Sequence, residues 1–280
     1  MIDPTLREDV IALAHDAAAA ILEVYGADFD VERKGDASPL TQADLASHRV
    51  IADGLSRLTP DIPVLSEEAE HKVAPDIRRS WPRLWVVDPL DGTREFVKRN
   101  GEFTVNIALV EHGVVVWGVI QAPVTGALWH GGAGQGAFRR DGRESGDRSI
   151  AIRTARAPLR VAASRSHRDG RSEAFIQAMQ AHAGEVEQLN LGSSLKFCRI
   201  AEGGLDLYPR FGPTCEWDTA AGQAILEGAG GAVVDPRGRP LRYNVRDTLL
   251  NGDFVAIGDP VQPWRDWAAA AQAAVEPPRG

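Results

Sequence analysis

The run Leu84-Trp85-Val86-Val87 passes directly into Asp88-Pro89-Leu90-Asp91-Gly92-Thr93. A short apolar run of this kind reads as a buried strand. The fold must therefore accommodate a strand that ends in an acidic turn. Pro89 stiffens the exit and Gly92 permits a tight approach, so both carboxylates can face one pocket. Hard oxygen donors grouped in this way suit Mg²⁺ rather than zinc. Asp, Pro and Gly are also common in plain turns, and Asp-Gly alone would be read as one. A given six-residue string, however, arises by chance at roughly one position in 10⁷–10⁸, which favours chemistry here.

Three further segments carry weaker signals. Ser66-Glu67-Glu68 follows the short strand Pro63-Val64-Leu65, although adjacent glutamates are usually solvated surface. In Glu216-Trp217-Asp218-Thr219-Ala220-Ala221-Gly222 the simplest role of Asp218 is a helix N-cap. Lys34-Gly35-Asp36 precedes Ser38-Pro39-Leu40-Thr41-Gln42-Ala43-Asp44, in which Thr41 and Asp44 have capping-box spacing.

The 280 residues suffice for one large core or two modest domains. Leu6, Val10, Leu13, Ala14, Ala17, Ile21 and Val24 recur at helical spacing, and a second helix starts at Thr41. Residues 103–110 and 114–120 read as two strands joined by a tight turn at Glu111-His112-Gly113. Strand-like pieces surround Leu128 and Phe138, with Gly131-Gly132-Ala133-Gly134 read as a loop between them. That glycine stretch lacks a nucleotide-loop context. After about Arg153 strands and helices alternate: strands at 159–163, 186–191, 205–208, 232–234 and 255–257, helices at 172–181, 194–201 and 218–227. The pattern predicts an α/β protein with an N-terminal α+β half, 1–153, that carries most of the acidic motifs, and a C-terminal α/β half, 154–280, that carries Asp218 and the candidate substrate-binding residues.

The net charge of −8 argues against a nonspecific nucleic-acid polymer as partner, which would require a basic face. Two cysteines, Cys198 and Cys215, form no CxxC pair, so a reducing compartment is the default. The seven histidines show no zinc spacing. The start lacks a basic segment followed by an apolar one, and no apolar stretch is long enough to span a bilayer. A cytoplasmic protein is expected; association with the membrane's cytoplasmic face is left open.

Taken in order, Lys34…Thr41-x-x-Asp44, Glu67-Glu68, Asp88 to Thr93, and Trp217-Asp218-x-Ala220-Ala221-Gly222 resemble the inositol-monophosphatase superfamily of lithium-sensitive phosphatases. Longer strings resemble its CysQ branch: Ser38 to Thr41, Lys98 to Asn106, Gly192-Ser193-Ser194-Leu195-Lys196-Phe197-Cys198, and Leu207 to Thr214. The resemblance implies a layered sandwich, helix–sheet–helix–sheet–helix. It also implies hydrolysis of the 3′ phosphate of adenosine 3′,5′-bisphosphate, a by-product of sulfate activation and reduction. Glu67, Asp88, Asp91, Asp218 and the Leu90 carbonyl would hold two or three Mg²⁺ ions, with Mn²⁺ a substitute and Li⁺ and Ca²⁺ inhibitors. Thr93, oriented by Asp44, would help to deprotonate the attacking water, with Glu67 close to the chemistry. Glu68 would sit behind the ligands. The family is often dimeric, and no residue decides whether this chain forms a homodimer.

On the substrate side, the N–H groups of Gly92-Thr93, Gly192-Ser193-Ser194 and Asp218-Thr219 would open helices and meet phosphate oxygens. Lys196 and Arg210, and less favourably Arg165 and His167, are candidate cations for a second phosphate. For each the alternative is an exposed cation or a local salt bridge. Trp85, Trp117 and Trp129 read as core. Inositol monophosphate, histidinol phosphate and fructose bisphosphate remain alternative substrates. A non-catalytic metal or nucleotide sensor is the alternative of another class, disfavoured because the ligands and the water-activating pair are all present.

Overall fold

The computed structural model describes residues 2–27, 31–33, 39–163 and 170–274. Lys34, Gly35, Asp36, Ser38, Arg165 and His167 lie outside them.

Two sheets form the frame. The larger has seven strands in sequence order: β3 (Val64–Ser66), β4 (Arg83–Asp91), β5 (Thr104–Glu111), β6 (Val114–Gln121), β7 (Ala127–Gly132), β8 (Gly136–Asp141) and β9 (Arg148–Ile150). Only β3 and β4 run parallel; the rest is an antiparallel meander. The β5–β6 turn places His112 and Gly113 at φ 49 and 76, as a tight hairpin requires. The second sheet has the order β11 (Val186–Asn190), β10 (Leu159–Ala163), β12 (Leu207–Arg210), β14 (Phe254–Ile257) and β13 (Ala232–Val234). A small antiparallel pair, β1 (Val31–Arg33) and β2 (Pro39–Thr41), stands apart.

Helices fill three layers around these sheets. The helices α1 (Pro4–Tyr25) and α2 (Gln42–Leu58) cover one face of the large sheet. They share a core with Trp85, Val87, Ile107 and Trp117. A middle layer, α6 (Leu195–Ala201) and α7 (Glu216–Gly228), lies between the sheets in a core that holds Val86 and Ala108 on one side and Phe254 and Ala256 on the other. The outer helices α5 (Gly170–Ala183) and α8 (Trp264–Ala273) pack through Phe175, Met179 and Trp267. Alternation along β4 and β5 supplies opposite faces to the first two cores, as a strand's period of two dictates. The resulting order is the five-layer α/β sandwich that the family resemblance implies. Trp85, Trp117 and Trp129 are buried core residues.

Several boundaries differ from the sequence reading. Gly131 and Gly132 belong to β7 rather than to a loop. Their pairing with β6 and β8 places them in the sheet, and glycine is needed there because a Cβ would meet the backbone oxygens of Gly136 and Val116. The strand expected at 205–208 runs 207–210, and α7 begins two residues before Asp218. The short helix α3 (Pro75–Arg79) and the helix α8 have no counterpart in the sequence reading. The short helix α4 (Thr93–Val97) starts where Gly92-Thr93 is expected to open one.

The middle layer is tight. A Cβ built at Gly118 on β6 would stand 2.7 Å from the Ala221 Cα of α7, so the helix backbone rests directly on the sheet.

Candidate active site

In a regular strand, residues three apart point to opposite faces. Asp88 pairs with Asn106, yet Asp91 pairs with Thr104, so three steps on β4 oppose two on β5. This bulge brings both carboxylates to one side. Pro89 sits inside the bulge, where its missing N–H costs no ladder bond. The Leu90 N–H donates to Asp88 Oδ1 at 3.0 Å. Gly92 then takes φ 92, a conformation that favours glycine, and Thr93 opens α4.

Asp218 arrives from the other half of the chain. It is the third residue of α7, not its N-cap as the simplest sequence reading has it. The cap is Cys215, whose N–H donates to Asp218 Oδ2 at 2.8 Å. Asp88, Asp91 and Asp218 each offer an oxygen within 4.8 Å of the others. Glu67 opens the 3₁₀ turn Glu67–Lys72 after β3 and lies outside this tight triad. Its charge nonetheless reaches both Asp91 and Asp218. Burial raises the Asp218 carboxyl well above the usual range, and the neighbouring Asp91 and Glu67 charges push it further. Asp91 is raised chiefly by burial, with Lys196 and the Ser194 N–H opposing. Like-signed carboxylates set this close together, all of them oxygen donors, fit a hard divalent cation.

Asp44 makes contacts that correspond to both readings the sequence offers. Its Oδ2 accepts from the Thr41 N–H at 2.8 Å and the Thr41 hydroxyl at 2.5 Å, completing the capping box of α2. Its Oδ1 lies 3.4 Å from Thr93 Oγ1, which is equally far from the Leu90 carbonyl oxygen. One carboxylate thus closes a helix and faces the acidic turn.

An open cleft runs from this cluster across the second half. Asp91, Gly92, Gly192, Ser193, Ser194, Lys196, Arg210, Asp218 and Thr219 are among the residues that line it. The loop before α6 is held by the Gly192 N–H donating to Glu102 Oε2 at 2.8 Å, and by the Ser194 N–H donating to Asp91 Oδ2 at 2.6 Å. Ser193 takes φ 44. The Ser194 side chain is buried and its N–H is committed to Asp91. Lys196 donates to the Ser193 carbonyl at 2.8 Å and lies 5.0 Å above the Tyr208 ring. Burial lowers its ammonium pKa to about 8, with the Asp91 charge opposing. Arg210 donates to the Pro213 carbonyl at 3.1 Å, while its buried Nε has no partner among the described residues.

Arg94, Tyr208, Thr214 and Phe254, none of them a site candidate from the sequence, also line the cleft. Tyr208 and Thr214, like Thr104 and Asn106 beside Asp91, fall within the strings that resemble the CysQ branch. Asn106 carried a signal: it is a polar residue inside the apolar strand Val105-Asn106-Ile107.

No helix among the described residues is long and apolar enough to cross a membrane. A sequence profile of the inositol monophosphatase family matches residues 3–274. The 3'(2'),5'-bisphosphate nucleotidase CysQ of Escherichia coli K12 is 49% identical over 252 residues, covering 89% of this chain and 98% of the relative. A crystal structure of CysQ from Bacteroides thetaiotaomicron, described as a bacterial member of that family, superposes with a TM-score of 0.77 at 42% identity; the match covers 89% and 96% of the two chains. An inositol monophosphatase from Zymomonas mobilis gives 0.74 at 26%, over 96% and 97%.

Proposed function

Because the chain belongs to the inositol monophosphatase family, we propose that it is a Mg²⁺-dependent 3'(2'),5'-bisphosphate nucleotidase that removes the 3′ phosphate of adenosine 3′,5′-bisphosphate. The observation that carries the chemistry is the Asp88–Asp91–Asp218 triad at a cation-lined cleft. The nucleotidases of about half-identical sequence support the choice of substrate.

Asp88, Asp91 and Asp218, with Glu67 and the Leu90 carbonyl, would hold the cations. Bound Mg²⁺ would offset the charge that makes a phosphate monoester resist attack, and would acidify a water. The protein residues divide the remaining work. Thr93, with Asp44 behind it, orients the attacking water: its hydroxyl passes its own proton to the Asp44 carboxylate, 3.4 Å away, as it accepts one from the water. The N–H groups around Gly92 and Thr93 meet oxygens of the scissile phosphate. Lys196 and Arg210 meet the second phosphate. A forked guanidinium fixes orientation as well as charge. Every residue that the chemistry requires is present, which favours an enzyme over a non-catalytic sensor.

The test is turnover of adenosine 3′,5′-bisphosphate, inositol 1-phosphate, histidinol phosphate and fructose bisphosphate with Mg²⁺ and with EDTA. The bisphosphate nucleotide should lead by a wide margin in kcat/KM, and EDTA should abolish the activity. Li⁺ should inhibit. Full activity in metal-free buffer would refute the metal chemistry. Equal turnover of inositol 1-phosphate would refute the nucleotide assignment alone.

A further inference from the structure

Beside Asp91 lies a buried polar cluster. Thr104, Asn106 and Ser194 are all 1% exposed or less. Thr104 and Asn106 stand two apart on β5, on one face of the strand, and Ser194 comes from the loop before α6, some 90 residues later. A polar trio in such a place has to be fully connected to be tolerated.

Its proton directions follow from the bonds. Ser194 Oγ donates to Asn106 Oδ1 at 2.8 Å, which commits its one proton. Thr104 Oγ1, 2.8 Å from Ser194 Oγ, must then donate to it. With Oδ1 turned to Ser194, the Asn106 amide nitrogen faces Asp91 Oδ2 at 3.4 Å. The Ser194 N–H reaches the same oxygen at 2.6 Å. The donors therefore run one way, Thr104 to Ser194 to Asn106 to Asp91. Both terminal bonds fall on Oδ2, and none among the described residues reaches Oδ1.

We propose that Asn106, Ser194 and Thr104 are positioning residues that hold Asp91 by Oδ2 and so present Oδ1 to the divalent cation. The inference rests on the reading of Asp91 as a metal ligand. Partners of this kind orient a ligand and raise its basicity, and their loss typically weakens metal binding ~10–100-fold.

The measurement is Mn²⁺ affinity of the full chain without substrate, from the signal of free Mn²⁺ in electron paramagnetic resonance. Asn106→Leu should bind Mn²⁺ ~10–100-fold more weakly than wild type. Ser194→Ala and Thr104→Val, each removing one hydroxyl, should lose several-fold, and Thr104→Ser should keep wild-type affinity. These two hydroxyl variants carry the test if Asn106→Leu does not fold. Melting in EDTA separates a purely structural role, which would shift apo stability and leave Mn²⁺ affinity in place. Folded variants that bind Mn²⁺ within about twofold of wild type overturn the inference and leave the metal reading standing. A wild-type chain that binds no Mn²⁺ overturns both.

Discussion

The first turn of α7 carries two acids with opposite surroundings. Glu216, fully buried, is matched by donors on both oxygens. Its Oε2 accepts from the Asn244 N–H at 2.6 Å and its Oε1 from Arg246 Nη2 at 3.0 Å. Asn244 is in turn clasped by the buried Arg78 of α3, through Nη1 at 2.9 Å and through the Arg78 carbonyl at 2.5 Å. Burial raises the Glu216 carboxyl, and the Asn244 N–H and Arg246 oppose that rise. Two residues on, Asp218 faces the like charges of Asp91 and Glu67, and the relief it receives is the Cys215 N–H and the more distant charge of Arg210. A matched charge network holds the helix in place. An unmatched one stores repulsion that a cation from outside relieves, and such perturbed groups mark sites.

The comparison makes its strongest prediction at Asp218. Asp218→Asn should abolish Mg²⁺-dependent turnover, yet in EDTA it should melt at or above the wild-type temperature, because a like charge has gone. A clear loss of apo stability would mean that Asp218 is matched after all. Thr93→Ala and Asp44→Asn come next, with kcat lowered ~10²–10⁴-fold. In Asp44→Asn the new amide oxygen can still cap α2, so stability should fall by no more than about 1 kcal/mol. If this variant melts early and turns over normally, the cap is the whole role of Asp44. Arg210→Ala should follow at ~10–100-fold in kcat/KM for the bisphosphate nucleotide, the worth of a charged hydrogen bond, with little change for inositol 1-phosphate. Equal losses on both substrates would place Arg210 in the fold. Glu216→Gln should show the mildest effect and the reverse pattern. It should cost about 2 kcal/mol of stability in urea unfolding and only a few-fold in kcat. A larger loss in turnover than in stability would erase the distinction between the two acids.

How much of this the amino-acid order reveals depends on range. The acidic turn, the two hairpin strands and the first two helices follow local rules of period, capping and turn chemistry, and they are legible. So are the ligand candidates Asp88 and Asp91, because they share a bulge within one short string. Asp44 shows the limit of a local signal. The capping-box spacing reads correctly, but the second oxygen's direction depends on where β4 ends, 49 residues from Asp44 to Thr93. Asp218 repeats the case: it is a helix-start carboxylate whose neighbours come from another sheet. The hydrogen bonds on Asp91 Oδ2 span 103 residues to Ser194, and no periodicity encodes such a meeting. Gly131 and Gly132 mislead for a related reason. Glycine in a strand marks close backbone approach, which looks like a loop until the neighbouring chain is seen. Helix α8 has correct spacing, with Trp264, Trp267, Ala268 and Ala271 buried, but its alanine run resembles a fraying end.

The contact between Gly118 and Ala221 has a mechanical consequence. Ala221 lies less than one turn beyond Asp218, and at that point the helix rests on the sheet without any side chain as a cushion. The helix therefore behaves as a strut on a hard bearing. A methyl added at position 118 cannot be absorbed by a rotamer change; it lifts the strut and carries the tip with Asp218 out of alignment with β4. Among the described residues the outer helices have no such bearing near the cleft, so sequence drift can accumulate there while the strut and its seat must change together.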